Sequence, residues 1–165
     1  MARPRRRMGA LVSAVLVVSA LGRPTAATAG GPKLSADLDG QAIALADVGK
    51  YHCDDVDYPQ IHCYKSEQLR DAAALPVLAA SSTAYVIAWD YPGYSGPSFI
   101  FTQDYTALIT IGWHDRISSF KAQNSQTGHW YVDWFYLGST WSFCCNVMQP
   151  LLGGYDDTFS SVHRL

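Results

Sequence analysis

Two short segments carry the residue types that could do chemistry: His114-Asp115-Arg116-Ile117-Ser118-Ser119 and Asp156-Asp157-Thr158-Phe159-Ser160-Ser161. Each offers a carboxylate, a serine hydroxyl and, in a bent loop, free backbone carbonyls. A hard cation such as Ca²⁺ takes roughly six to eight oxygens of these kinds. The two segments share a DxxSS spacing. If a repeated unit brings them side by side, each can lend its carboxylate to the other's site.

The elements that must position these loops also come twice. Trp89–Gly96 (WDYPGYSG) sets an aromatic, a second aromatic and a glycine at Trp89, Tyr94 and Gly96; the same spacing returns at Tyr131, Tyr136 and Gly138. The pattern describes a hairpin folded back over its sheet. Its glycine supplies a positive φ that other residues adopt only at a cost. The aromatics are read as structural lids. Around the hairpins the hydrophobic period is two, as in Tyr85, Ile87 and Trp89, which marks strands. In the first copy, strands are expected over 84–89, Ser98–Thr102 and Ser119–Ala122, with a helical turn over Asp104–Leu108. In the second they are expected over Trp130–Asp133, Thr140–Cys144 and Ser161–Leu165, with a bend at Trp134–Gly138. Four short strands per copy predict an all-β sandwich of about eight antiparallel strands in two Greek keys.

From Ala84 to Leu165 the sequence resembles the microbial βγ-crystallin domain. WDYPGYSG and YVDWFYLG match that family's hairpin, DDTFSS matches its [N/D][N/D]xx[S/T]S calcium loop in full, and HDRISS matches except at His114. The resemblance implies paired Ca²⁺ sites. In one, the Arg116 carbonyl and Ser118 hydroxyl would meet an acidic side chain from the second loop, Asp156 or Asp157. In the other, the Thr158 carbonyl and Ser160 hydroxyl would meet Asp115. A carbonyl near Tyr91 and one near Asp133 or Trp134 would complete the protein ligands. His114 weakens its loop, because it replaces an oxygen by a nitrogen that Ca²⁺ disfavours. Few carboxylates per site imply modest affinity, roughly 10⁻⁵ to 10⁻³ M. Crystallin-like bacterial protease inhibitors and killer-toxin-like proteins are also similar, so a secreted protease inhibitor or an antimicrobial toxin on the same fold is the alternative.

The first 29 residues read as an export signal: four arginines within Met1–Gly9, an apolar run over Ala10–Leu21, and Ala27-Thr28-Ala29 for cleavage. The apolar run is too short to span a bilayer. The expected organisation is a signal peptide over 1–29, an N-terminal extension over 30–82, and the β domain over 83–165, with repeats at 84–124 and 129–165. Five of the 12 basic residues and none of the 14 acids precede residue 30, leaving seven bases against 14 acids. A surplus of acids argues against nucleic acid, whose phosphates demand a basic face. The expected protein is secreted and monomeric, with calcium ions as partners, a secreted protease or cell-surface target as a further candidate partner, and no membrane contact after signal removal.

Within the extension, Asp39-Gly40 signals a turn and Ala46–Lys50 a short helical turn. Tyr51–Cys53 and Ile61–Tyr64 read as strands. Ser66 is placed to cap a helix over Glu67–Leu75, which Pro76 should stop. The four cysteines, Cys53, Cys63, Cys144 and Cys145, suggest disulfides in an exported chain. Two of the three pairings staple Cys53 and Cys63 to Cys144 and Cys145, and this staple is the expectation. A local Cys53–Cys63 bridge with two free thiols is the competing arrangement. His52-Cys53 and His62-Cys63 could also be read as zinc ligands, a reading that disulfide formation would cancel. The sequence shows no nucleophile elbow and no phosphate-binding glycine loop, so no enzymatic activity is expected.

Overall fold

The computed structural model describes residues 33–165; the expected signal peptide lies outside the described residues. Each of the two repeats places three strands in one of two sheets. β5 (Tyr85–Tyr91), β6 (Ser95–Phe101) and β7 (Ser119–Gln123) lie in one. β8 (Gly128–Tyr131), β9 (Thr140–Phe143) and β11 (Ser161–Arg164) form the other. Each repeat sends its third strand across. β10 (Met148–Gln149) leaves the second repeat to pair with β7. Tyr105 leaves the first repeat to bridge Val162 of β11, with reciprocal N–H···O bonds of 3.0 and 2.9 Å. This exchange is the paired Greek key. The helical turn expected over Asp104–Leu108 sits instead at Leu108–Ile111, because the backbone of Tyr105 is spent on the bridge.

Between the sheets lie Phe99, Phe101, Trp113, Phe120, Trp130 and Phe159, all fully buried. Trp130 meets Phe101 edge-on at 5.6 Å and stacks on Phe159 at 5.7 Å. Offset and edge-on aromatic pairs stabilise a core beyond their buried area.

The extension supplies half of an eight-stranded sheet. β1 (Ser35–Leu38), β2 (Gln41–Ile43), β3 (His52–Asp54) and β4 (Gln60–Tyr64) continue the first sheet in the order β6-β3-β4-β1-β2. Asp39 and Gly40 turn the β1–β2 hairpin at φ 50° and 81°, both positive as a tight two-residue turn requires. The junction to the crystallin-like part is parallel pairing of β3 with β6, so the sheet is mixed rather than wholly antiparallel. Buried charge reinforces this junction. Asp55 accepts from the Thr102 amide at 2.5 Å and from the Tyr105 hydroxyl at 3.0 Å.

Helix α1 (Glu67–Ser81) begins at the expected cap, Ser66, whose Oγ accepts from the Leu69 amide. It does not stop at Pro76. Ala74 and Leu78 on either side of the proline bury against Ile87, Trp89 and Ile100, and this continuous apolar contact outweighs one lost helical hydrogen bond. Ser82 ends the helix in the left-handed region at φ 53°. The buried Arg70 ties the helix down, donating to Ser98 Oγ at 2.6 Å and to Glu67 and Asp71.

The cysteine staple is corrected. Cys53 and Cys63 face each other across β3 and β4 and are bonded to one another, both fully buried. Cys144 and Cys145 are bonded to each other in an exposed loop, and no described cysteine is free. Direct cross-strand opposition commits the first pair locally, and strand pairing rather than a disulfide joins the extension to the rest. The zinc reading of the same segment falls with it.

Two predictions follow from these packing facts. Gly96 has φ 78°, and a Cβ there would lie 2.5 Å from the Tyr91 ring. Gly96→Ala should cost at least about 1–2 kcal/mol in urea unfolding, with loss of the Tyr91 packing. Burial pushes the Asp54 and Asp55 carboxyls up to about 6. A carboxyl raised on folding favours the folded state while protonated, and that advantage is lost as pH rises from about 4 through 6. Asp54→Asn should therefore stabilise the protein by up to about 3 kcal/mol at pH 7 and change little near pH 4. An equal gain at both pH values would show that charge is not the cause.

Candidate functional site

The two loops are cross-tied by backbone. The Asp115 amide donates to the Phe159 carbonyl at 3.0 Å, and the Asp157 amide donates to the Ile117 carbonyl at 3.2 Å. Both aspartates sit at φ 52°, a left-handed conformation that Asp tolerates better than most side chains. Ile117 and Phe159 are fully buried beneath them. The apolar residue of each motif thus plugs the core while the acid before it turns outward.

The paired serines divide two tasks. The second of each pair is structural. Ser119 Oγ donates to the Tyr91 carbonyl at 2.8 Å and accepts from the Tyr94 amide at 3.0 Å. Ser161 Oγ does the same with the Asp133 carbonyl at 2.7 Å and the Tyr136 amide at 3.1 Å. Each latches its own hairpin, and both are fully buried. The Tyr91 and Asp133 carbonyls, nominated as ligands, therefore each already accept a serine hydrogen bond.

The first serine of each pair faces the opposite loop, and here the two halves differ. Ser118 Oγ donates to Asp157 Oδ1 at 3.2 Å, so the structure brings Asp157 rather than Asp156 to Ser118. Asp156 Oδ1 is buried without a hydrogen-bond partner. The Asp157 carboxyl is raised by burial and by the nearby Asp156 and Asp90, against a lowering hydrogen bond from Ser118. In the other half, Ser160 Oγ pairs with His114 Nδ1 at 3.0 Å. His114 Nε2 lies 3.1 Å from Asp115 Oδ2. His114 thus stands between Ser160 and Asp115, the two side chains expected to share an ion.

Arg116 belongs to the site by its backbone only. Its guanidinium holds Asp90 through two hydrogen bonds of 2.8 and 2.7 Å and also reaches the Gly112 carbonyl. The pair neutralises Asp90 next to the first half-site, and spacing alone does not reveal it, since the partners are 26 residues apart. Among the described residues, no hydrogen bond reaches the Arg116 or Thr158 carbonyl. No group of three or more His, Cys, Asp and Glu converges among them, so an ion here must draw on hydroxyl and carbonyl oxygen. A cleft of about 670 Å³ opens at the second half-site, lined by His114, Asp115, Thr158 and Ser160 and flanked by the exposed Trp134, Phe135 and Leu137; it reaches Asp157 but not Ser118, Arg116 or Tyr91. The expected lids are formed: Trp89 meets Tyr94 at 5.3 Å and Tyr131 meets Tyr136 at 5.7 Å.

No protein-family model matches the sequence, and no curated protein matches it. Among solved structures, the chain is similar to a βγ-crystallin from an archaeon at 26% identity, covering 50% of this chain and 99% of that one with a TM-score of 0.45. It is similar to a βγ-crystallin from Ciona intestinalis at 19% identity over 49% of this chain and 99% of that one, TM-score 0.45. A βγ-crystallin domain from Clostridium beijerinckii matches at 20% identity over 48% and 95%, TM-score 0.44.

The division of labour between the serines is testable by unfolding in chelator. Ser119→Ala and Ser161→Ala should each cost about 1–3 kcal/mol, since a buried hydroxyl bridging two backbone groups is lost. Ser118→Ala should cost less than about 1 kcal/mol. Equal losses at Ser118 and Ser119 would contradict the assignment.

Proposed function

We propose that the protein is an exported, non-enzymatic calcium-binding domain that holds one Ca²⁺ at its first half-site. The observation that carries this reading is the contact between Ser118 of one repeat and Asp157 of the other. Two oxygens that can both ligate already face each other across the pseudo-twofold. The Arg116 carbonyl accepts no hydrogen bond among the described residues, and the Tyr91 carbonyl, held by Ser119, is the hairpin oxygen that would join it. This is an all-oxygen set with one carboxylate, which fits a hard cation held modestly and completed by water.

The second half-site fits Ca²⁺ poorly. Ser160 is engaged by a histidine nitrogen, and the same ring contacts Asp115. Two of the four protein groups that would face an ion there are already engaged by an imidazole, a ligand that suits borderline metals better than calcium.

Calcium in this role adds stability rather than chemistry. An ion that binds only the folded chain stabilises it by mass action, about 2.7 kcal/mol at a hundredfold excess over Kd. Among the described residues no helix is long and apolar enough to cross a membrane.

Calorimetric titration of the oxidised protein should return one Ca²⁺ per chain and a melting temperature several degrees higher with calcium than with chelator. Asp157→Ala should remove both effects, whereas Asp115→Ala should leave them. His114→Asn should bring the stoichiometry to two. Absence of any calcium-dependent shift in the unaltered protein overturns the proposal.

A further inference from the structure

A second cavity lies in the extension, remote in sequence from the acidic-serine loops. It has a volume of about 270 Å³, opens to solvent, and is lined by β3, β4, the loop after β3, and α1. Its walls are of two kinds. Val56, Ala73, Ala74 and Val77 make an apolar side; Asp54, Asp57, His62 and Tyr64 make a polar one.

Asp54 decides what the cavity can take. The residue is only 3% exposed. Its Oδ1 accepts from the Val56 amide at 3.2 Å, but its Oδ2 is buried with no partner. A buried carboxylate oxygen without a donor is costly. Arg70 donates to Glu67, Asp71 and Ser98 and does not line the cavity. No lysine or arginine lines it either. His62 is oriented by Asp37, 2.8 Å from Nδ1, and turns Nε2 toward Asp57 at 3.7 Å. The site therefore has a deep acceptor, a second carboxylate at its rim, and no lysine or arginine in its lining, its one basic side chain being His62, held between Asp37 and Asp57.

These features select a ligand class. An anion would meet Asp54 and Asp57. A purely apolar ligand would leave Asp54 Oδ2 unpaired. A bare metal ion would need convergent ligands, and no three such side chains converge among the described residues. One water occupies about 30 Å³ in the liquid, far less than this space, and half of the wall cannot hydrogen-bond to water. We propose that the cavity binds a primary alkylammonium group, the nitrogen donating to Asp54 Oδ2 and the methylene chain lying along Ala73, Ala74 and Val77. The volume suits a chain of a few carbons, from a free amine or from a lysine side chain.

The test is a ¹H–¹⁵N NMR titration of the oxidised full chain at pH 7.5 with n-butylammonium, n-butanol and Nα-acetyl-lysine methylamide. Butylammonium should give saturable shifts at Asp54, Val56, His62 and the Ala73–Val77 turn. Butanol should bind at least tenfold more weakly, as should butylammonium to Asp54→Asn. Ala73 is exposed on the helix, so Ala73→Leu narrows the entrance without disturbing the core and should also abolish the shifts. Binding of the lysine analogue at the affinity of butylammonium assigns the source to a lysine side chain; failure of the analogue alone assigns it to a free amine. Equal binding of alcohol and amine, undiminished binding to a folded Asp54→Asn, or no saturable shift overturns the proposal.

Discussion

The reciprocal backbone tie between the two loops is the constraint on which the crystallin-like part depends. Asp115 and Asp157 each give their amide to the other loop, which is possible only because both adopt the left-handed conformation. That conformation aims the next apolar residue inward and fixes where the serines fall. One serine then latches the hairpin of its own repeat, and the other reaches the partner loop. The same six-residue motif therefore closes a fold and presents oxygen. A structural role explains the motif without any ion, which is why the motif alone does not establish calcium binding. The side chains at its first and second positions decide that question.

The extension obeys a different logic. It has no disulfide to the rest of the described chain and is joined by β3–β6 pairing, by Asp55 and by the packing of α1. Each junction buries polar or charged groups, and the groups are satisfied unequally. Asp55 has three donors, the amides of Thr102 and Gln103 and the Tyr105 hydroxyl. Arg70 has three acceptor residues. Asp54, on the neighbouring position of the same segment, has one donor for two oxygens. A carboxylate kept in that state lowers stability, and such local violations of otherwise consistent packing concentrate at sites of function.

Much of this was legible in the sequence where a motif demanded one conformation. Gly96 and Gly138 marked the hairpins, Asp39-Gly40 the first turn, and Ser66 the helix cap, because each is a local requirement. Features decided by distant partners were not legible. Pro76 reads as a helix stop until Ala74 and Leu78 are seen buried together. Four cysteines permit three pairings until β3 and β4 set Cys53 opposite Cys63. Tyr105 looks like part of a helical turn until Val162 claims its backbone. The extension looks like an appendage because nothing in its own residues names β6 as its neighbour. The choice between Asp156 and Asp157 was open for the same reason, since it depends on which way the loop turns over Ile117.

The two half-sites are not equivalent. His114 and Asp156 occupy the same position of the motif but are engaged differently. Asp156 stays on its own side, with a buried oxygen unpartnered. His114 is longer, and its two nitrogens reach both Ser160 and Asp115. A single imidazole thereby closes internally, by hydrogen bonds, the half-site that an ion would otherwise close by coordination. On this reading the second loop pair is held without metal at all times, and the first alone responds to calcium. The imidazole bridge between Ser160 and Asp115 needs no ion, so the support it gives the fold does not depend on the surrounding calcium concentration.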